Sequence, residues 1–295
     1  MCFFAPLGAE RRSMTILYAA LLGLVQGVAE FLPISSSGHL ALLENILGSR
    51  GLMALDDSAL FNILLHLATL AAVIAAYWTD VRDMVLEGFA TVGDLFRGRG
   101  ISAKGNPTRR LIYMIILATV PLFLIVPFND ALERLNEIPW FIGAALIATG
   151  TLLYISDHLP RGKKTEATMT VVDALVIGLA QGLATIPGLS RSGTTIAAGM
   201  GRGLKRPFAV RFSFLMSLLS VLGAVVLKVL DVLEEGVDLS MLPAYAVGMI
   251  VAAVTGYLSI RLLQRIVQKG RFGGFAYYCW GVGVISIMIW FRLSV

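Results

Sequence analysis

Two short tracts of this chain gather the side chains that handle phosphate. The first holds Gln26, Glu30, Ser35, Ser36, Ser37, Gly38 and His39; the second holds Ser190, Arg191, Ser192, Gly193, Thr194 and Thr195. Glu30 suits a base or a ligand for a divalent cation; its alternative is a structural carboxylate paired with Arg191. Gln26 lies four residues earlier, on the same helix face. The serine tract leads through Gly38 into a predicted helix. A helix N-terminus preceded by small residues is an anion site, because its free N–H groups point at the ligand. A serine there also serves as a nucleophile when a base is near, or as an ordinary helix cap. His39 follows Ser36 closely enough to reach the same phosphate. The guanidinium of Arg191 fits phosphate oxygens in bidentate fashion. Its alternative is snorkelling to an interface, against which the flanking glycines argue, since they suit close approach of backbone to ligand. A carboxylate, a hydroxyl, an imidazole and a guanidinium together suit phosphoryl transfer, where positioning and charge stabilisation do most of the catalysis.

The elements that must hold these residues are membrane helices. The chain has 295 residues, of which 57% are hydrophobic and 15% charged, with mean hydropathy +0.80. Soluble domains carry roughly 25% charged residues. A phosphate ester with an apolar tail is therefore the natural substrate. The basic pI of about 9.4 does not indicate nucleic acid, because the basic residues sit in short loops between apolar runs. Cys2 and Cys279 form neither a disulfide framework nor a metal cluster. The irregular stretch 1–13 reads as a non-native or disordered extension, with Met14 as the natural start.

Six apolar stretches predict spanning helices: 58–78, 111–128, 139–155, 209–230, 242–262 and 273–291. Two more are interrupted, 16–32 before Pro33 and 171–186 before Pro187. Lysine and arginine concentrate in 80–110, 157–170, 201–208 and 261–271, which places these loops in the cytoplasm and 129–137 and 231–241 outside. Each interrupted stretch must then enter the membrane and return to the side it came from. Such backbone is tolerated only where protein or a water-filled cavity surrounds it. Gln26-Gly-Val-Ala matches Gln181-Gly-Leu-Ala, and Ser35-Ser-Ser-Gly38 matches Ser190-Arg-Ser-Gly193. The predicted fold is an all-α polytopic membrane protein of two inverted repeats, each a re-entrant helical hairpin plus three transmembrane helices. The repeats cover 14–156 and 171–295, joined by a cytoplasmic linker at 157–170, in one integral membrane domain. His66, beside Thr69 in an apolar helix, reads as a hydrogen-bonded packing residue, and His158 as a solvated loop residue. The stretch 80–97 reads as an amphipathic helix on the cytoplasmic surface.

The tract Gly23-Leu-Val-Gln26-Gly-Val-Ala-Glu30-Phe-Leu-Pro33-Ile-Ser-Ser36-Ser-Gly-His39 resembles the first signature of the undecaprenyl-diphosphate phosphatases, the bacitracin-resistance type. Pro187-Gly-Leu-Ser190-Arg191-Ser192-Gly193-Thr-Thr resembles the second, and Arg206-Pro-Phe-Ala-Val-Arg211-Phe-Ser213-Phe-Leu is also similar to the family. The resemblance runs from Met14 to the C-terminus. It implies removal of the terminal phosphate from undecaprenyl diphosphate, which recycles the lipid carrier for peptidoglycan and other envelope polymers. It further implies a multi-pass protein of the bacterial inner membrane, a site open to the outer face and an assisting divalent cation, magnesium or calcium. By resemblance Glu30, Ser36, His39 and Arg191 occupy catalytic positions, Glu30 also as the metal ligand. Gln26, Ser35, Ser37, Gly38, Ser190, Ser192, Gly193 and Thr194 line the substrate. Two departures stand out. Gln26 replaces a residue that is often glutamate, which leaves Glu30 more of the role. Leu218 or Leu219 stands where many members have proline, so a straighter helix is expected there.

The expected partners are the polyprenyl diphosphate and membrane lipids, without nucleic acid, and with a homodimer as the candidate assembly. Two other functions remain open: a transporter or flippase for the lipid phosphate, since inverted repeats and broken helices are transporter architecture, and a phosphatase for a shorter lipid phosphate. A carrier needs Arg191 but has no obvious need for a serine beside a histidine and a glutamate.

Overall fold

The computed structural model describes residues 15–48, 58–98, 100, 102–128, 131–132, 134–235, 239–270 and 272–294. The expectation for 1–13 and Met14 lies outside these residues. In chain order the helices are α1 (Ile16–Phe31), α2 (Ser36–Gly48), α3 (Ser58–Ala76), α4 (Trp78–Phe96), α5 (Pro107–Thr119), α6 (Pro139–Asp157), α7 (Val171–Leu183), α8 (Arg191–Gly201), α9 (Arg206–Glu235), α10 (Leu242–Gln268) and α11 (Gly274–Ser294). Among the described residues, five segments are long and apolar enough to cross a bilayer: Pro107–Leu124, α6, Arg206–Val226 within α9, α10, and Gly274–Arg292 within α11. A sixth candidate is α3 with α4, bent by 91°. The chain is a polytopic membrane protein.

Each departure from the expected spans has a local cause. The stretch 58–78 ends early because Tyr77 leaves helical geometry at φ −118°, ψ 33°. Beyond it α4 buries no residue and exposes Leu86, Phe89 and Phe96, the amphipathic helix that the sequence predicts. Ion pairs hold it: Arg109 reaches Glu87 at 2.6 Å and Asp94 at 2.8 Å, and Arg211 reaches Asp80 at 2.6 Å. The stretch 111–128 passes from α5 into the tighter turns Val120–Leu124 and Val126–Phe128. Pro121 and Pro127 there have no N–H for an α-helical ladder. By contrast α9 runs unbroken for 30 residues through Leu218 and Leu219.

The helices pair in a repeating pattern. α1 lies along α10 as α7 lies against α5; α6 pairs with α11, and α3 with α9. Glycines allow the close contacts. A Cβ on Gly23 would stand 2.3 Å from the carbonyl oxygen of Gly248, and one on Gly143 would stand 2.7 Å from that of Gly283. Within lipid such small residues let helix backbones touch, so packing replaces the hydrophobic drive.

α1 and α7 have 16 and 13 residues, too few to cross, and each turns back into a second helix. The hairpins α1–α2 and α7–α8 meet at their tips. Gly38 lies against Gly188, and Gly193 against Pro33. Phe31 anchors the first tip, set edge-on to Phe214 of α9 with ring centroids 5.4 Å apart.

Candidate active site

Both hairpin tips use the same hydrogen bonds. Ser35 Oγ accepts from the N–H of Gly38 at 3.2 Å, and Ser190 Oγ accepts from that of Gly193 at 3.1 Å. Ser35 Oγ lies 3.3 Å from Ser37 Oγ, and Ser190 Oγ lies 3.2 Å from Ser192 Oγ. The first serine of each tract is thus the cap, satisfying an orphan N–H of the helix it begins. Capping is therefore the role of Ser35 and Ser190, and the next residue, Ser36 or Arg191, is left for other work. The turns themselves differ. In the first, Ser35 takes φ +71°, where non-glycine residues are rare; in the second, Gly188 takes φ +87°. α7 also stops at Leu183 rather than at Ile186. Ala184 to Ile186 unwind into tighter turns ahead of Pro187, and the Thr185 hydroxyl donates to the Gly182 carbonyl at 2.7 Å.

Glu30 is the junction of the two hairpins. Its side chain is 6% exposed. Oε1 accepts from Nη2 of Arg191, across the tip-to-tip contact. Oε2 accepts the Ser36 hydroxyl at 2.6 Å and the Gln26 amide at 3.1 Å. The structure therefore pairs Glu30 with Arg191 and at the same time sets Glu30 against the candidate nucleophile. A carboxylate hydrogen-bonded to a serine hydroxyl is placed to take its proton.

His39 is held from two sides. Nδ1 lies 2.7 Å from the Ser35 carbonyl, which only accepts, so Nδ1 carries the proton. Nε2 then accepts from the hydroxyl of Tyr278 at 2.9 Å, and the two rings stack 5.6 Å apart. The described contacts of His39 do not include Ser36 or Glu30.

The remaining predicted residues line or brace this centre. Gln26 is fully buried. Ser37 is exposed beside Ser35, and Gly38 is pressed against Gly188. Ser192 donates to the Leu32 carbonyl at 3.4 Å, tying the second tip to the first. Thr149 of α6 accepts from the N–H of Ser190 at 3.1 Å and donates to the Gly188 carbonyl at 3.3 Å. Thr194 is buried, and its hydroxyl has no partner. Thr195 sits 2.6 Å from the Ser213 hydroxyl, which joins the second tip to the Arg206–Leu215 run.

Three contributors were not read from the sequence as site residues: His66, Tyr278 and Thr149. His66 is hydrogen-bonded, as expected, and its partner is Gln26 of this centre. Its side chain is 42% exposed, and Nδ1 meets the Gln26 amide at 3.2 Å. It comes from α3 and Tyr278 from α11, so no local spacing marks either.

Of the site's side chains, Glu30 would hold a hard divalent cation through carboxylate oxygen; Gln26 presents its Nε2 to Glu30 and leaves its buried Oε1 without a partner. Among the described residues, no group of three or more His, Cys, Asp or Glu surrounds such an ion. Magnesium or calcium held by so few side chains completes its shell with substrate phosphates and water.

The family described as bacitracin resistance protein BacA matches residues 19–285, a stretch that includes both hairpin tips. The chain belongs to the bacitracin resistance protein BacA family. Among its BacA-family relatives, the undecaprenyl-diphosphatase of Methanosphaera stadtmanae is 37% identical over 280 residues, covering 94% of this chain and 98% of that one. The undecaprenyl-diphosphatase of Alkaliphilus metalliredigens is 40% identical over 277 residues, covering 93% and 98%. That of Rubrobacter xylanophilus is 40% identical over 269 residues, covering 90% and 94%. The BacA match thus runs from within α1 to within α11, not over the two tips alone.

Proposed function

We propose that this chain is a membrane-embedded phosphatase that hydrolyses undecaprenyl diphosphate to undecaprenyl phosphate and inorganic phosphate. The product lipid is then available again as a carrier for cell-wall synthesis. The observation that carries the reading is the 2.6 Å hydrogen bond from Ser36 to Glu30, with Arg191 on the other carboxylate oxygen. Nearly full-length relatives named undecaprenyl-diphosphatase support the same substrate.

Arg191 and the N–H groups at the start of α2 bind the diphosphate. Ser36 Oγ attacks the terminal phosphorus as Glu30 Oε2 accepts its proton. The anhydride P–O bond breaks, and undecaprenyl phosphate leaves. Glu30 passes that proton to the departing phosphate oxygen, water then attacks the phosphoserine as Glu30 or His39 takes its proton, and the proton returns to Ser36 Oγ as inorganic phosphate leaves. A divalent cation at Glu30 would neutralise phosphate charge and orient the diphosphate. In a second mechanism water is the direct nucleophile and Ser36 only binds.

We further place the protein in the bacterial inner membrane, with the two halves inverted and the site open to the outer face. The loop charges and the repeated helix pairings support that arrangement.

The test is phosphate release from undecaprenyl diphosphate by purified protein in detergent, with magnesium or calcium and then with chelator, beside Arg191→Ala. Cation-dependent release that is lost in the variant supports the reading. No release by folded wild type overturns it in favour of lipid transport, assayed next as translocation in vesicles. A phosphoserine trapped at Ser36 supports the covalent route; near-normal turnover by Ser36→Ala excludes it.

A further inference from the structure

Gln26 touches both Glu30 and a residue outside the two hairpins. Its Nε2 stands 3.1 Å from Glu30 Oε2 and 3.2 Å from Nδ1 of His66. A carboxylate only accepts hydrogen bonds, so the amide must turn its NH2 group, not its oxygen, toward Glu30. One N–H goes to Glu30, and the other is directed at His66. Nδ1 of His66 is then the acceptor of that N–H, and it also lies 4.0 Å from Glu30 Oε2. The same Oε2 takes the Ser36 hydroxyl at 2.6 Å. His66, Gln26, Glu30 and Ser36 form one continuous line of hydrogen bonds.

The second half of the chain supplies the contrast. Gln181 corresponds to Gln26, and it too meets a residue of the paired long helix: Ser220 donates to Oε1 of Gln181 at 3.4 Å. There the amide is turned the other way, and its Nε2 has no partner. Four residues beyond Gln181 stands Thr185, where the first half has Glu30. The half with the carboxylate carries an imidazole at this place, and the half without it carries a hydroxyl.

We propose that His66 is a positioning residue for the reaction: its Nδ1 lone pair holds the Gln26 amide, whose second N–H steers Oε2 of Glu30 onto Ser36. The inference rests on the phosphatase reading above. His66 acts through Gln26, without touching the phosphate, so its loss lowers kcat and leaves KM in place. An asparagine at 66 keeps an acceptor near the Nδ1 position. A glutamine carries its amide one bond further out, and a leucine has no acceptor.

The experiment measures kcat and KM for phosphate release by wild type, His66→Leu, His66→Asn, His66→Gln, Gln26→Leu and the His66→Leu/Gln26→Leu double variant. Release by wild type establishes the underlying reading; without it that reading has failed, independently of His66. Given release, His66→Leu is expected to lower kcat about tenfold with KM within about twofold, the loss of one hydrogen bond felt at the reacting oxygen. His66→Asn is expected to stay within about threefold of wild type. In the Gln26→Leu background, His66→Leu is expected to change nothing further, because residues acting as a unit are non-additive. Wild-type kcat in His66→Leu, a loss confined to KM, or a loss that persists undiminished without Gln26 overturns the proposal. Should His66→Leu fail to run as a single peak in gel filtration, His66→Asn against His66→Gln decides the matter. Higher kcat in the asparagine variant supports the proposal, and equal values overturn it.

Discussion

Tyr278 gives its hydroxyl to Nε2 of His39 at 2.9 Å and lays its ring almost parallel to the imidazole, 9° off. With the Ser35 carbonyl on Nδ1, this leaves His39 a single tautomer and a single orientation. Tyr278→Phe keeps the stack and removes the hydroxyl. We expect kcat to fall about threefold to tenfold, the worth of one neutral hydrogen bond. Tyr278→Ala, which also removes the stack, is expected to fall further. Phosphate release by the two variants checks the order.

Arg191→Ala removes the guanidinium from the phosphate and from Glu30 together. Loss of a donor aimed at developing charge costs about 10²–10³ in kcat. Arg191→Lys restores charge without the fork and is expected to recover only part of this. Removing one partner of a buried pair also destabilises, by about 3–5 kcal/mol. Arg191→Ala should therefore unfold at lower temperature than wild type, and Glu30→Gln/Arg191→Ala should regain much of the difference while remaining inactive.

The cation requirement is expected to depend on substrate. Glu30 alone leaves most of a magnesium or calcium shell to be filled by phosphate and water. Raising undecaprenyl diphosphate should lower the cation concentration that gives half-maximal rate. Equilibrium dialysis of the protein without substrate should show only weak retention. Tight retention in the absence of substrate would count against this site.

Gly188→Ala tests the second tip. The residue has φ +87°, and a Cβ there would stand 2.8 Å from the Ile142 carbonyl oxygen. Strain in this region costs about 1–3 kcal/mol per residue before any clash is counted. Thermal unfolding in detergent should show the loss. Ser35 also takes a positive φ, yet Ser35→Gly is expected to change stability little, since it relieves the backbone and removes the cap at once.

The spans, the amphipathic turn of α4 and the two motif tips were legible because each is local. Apolar length, a proline and a serine tract announce themselves within about twenty residues. The pairing of Glu30 with Arg191 was legible too, as the alternative reading of an isolated buried carboxylate. What stayed hidden was long-range. Nothing near His66 in sequence shows that Gln26 is its partner, and nothing near Tyr278 points to His39. An apolar helix surrounds each of them, so the local pattern argued for packing. The stop of α7 at Leu183 was equally invisible, because a run of apolar residues does not show where hydrogen bonding changes from an α-helical to a tighter pattern.

The ion pair between Glu30 and Arg191 governs the end of the cycle as well as its beginning. Glu30 takes one nitrogen of the Arg191 guanidinium, so a ligand that needs this N–H competes with an anion that is tethered in place. A lipid diphosphate brings a long apolar tail to hold it during that exchange. Inorganic phosphate, once cut free, has no such anchor. The tethered carboxylate is expected to compete it off the guanidinium. Product inhibition by phosphate should accordingly be weak in the wild type and markedly stronger in Glu30→Gln, where the ejector has lost its charge. A pair that looks like a resting-state lock thus works as the spring that clears the site for the next lipid.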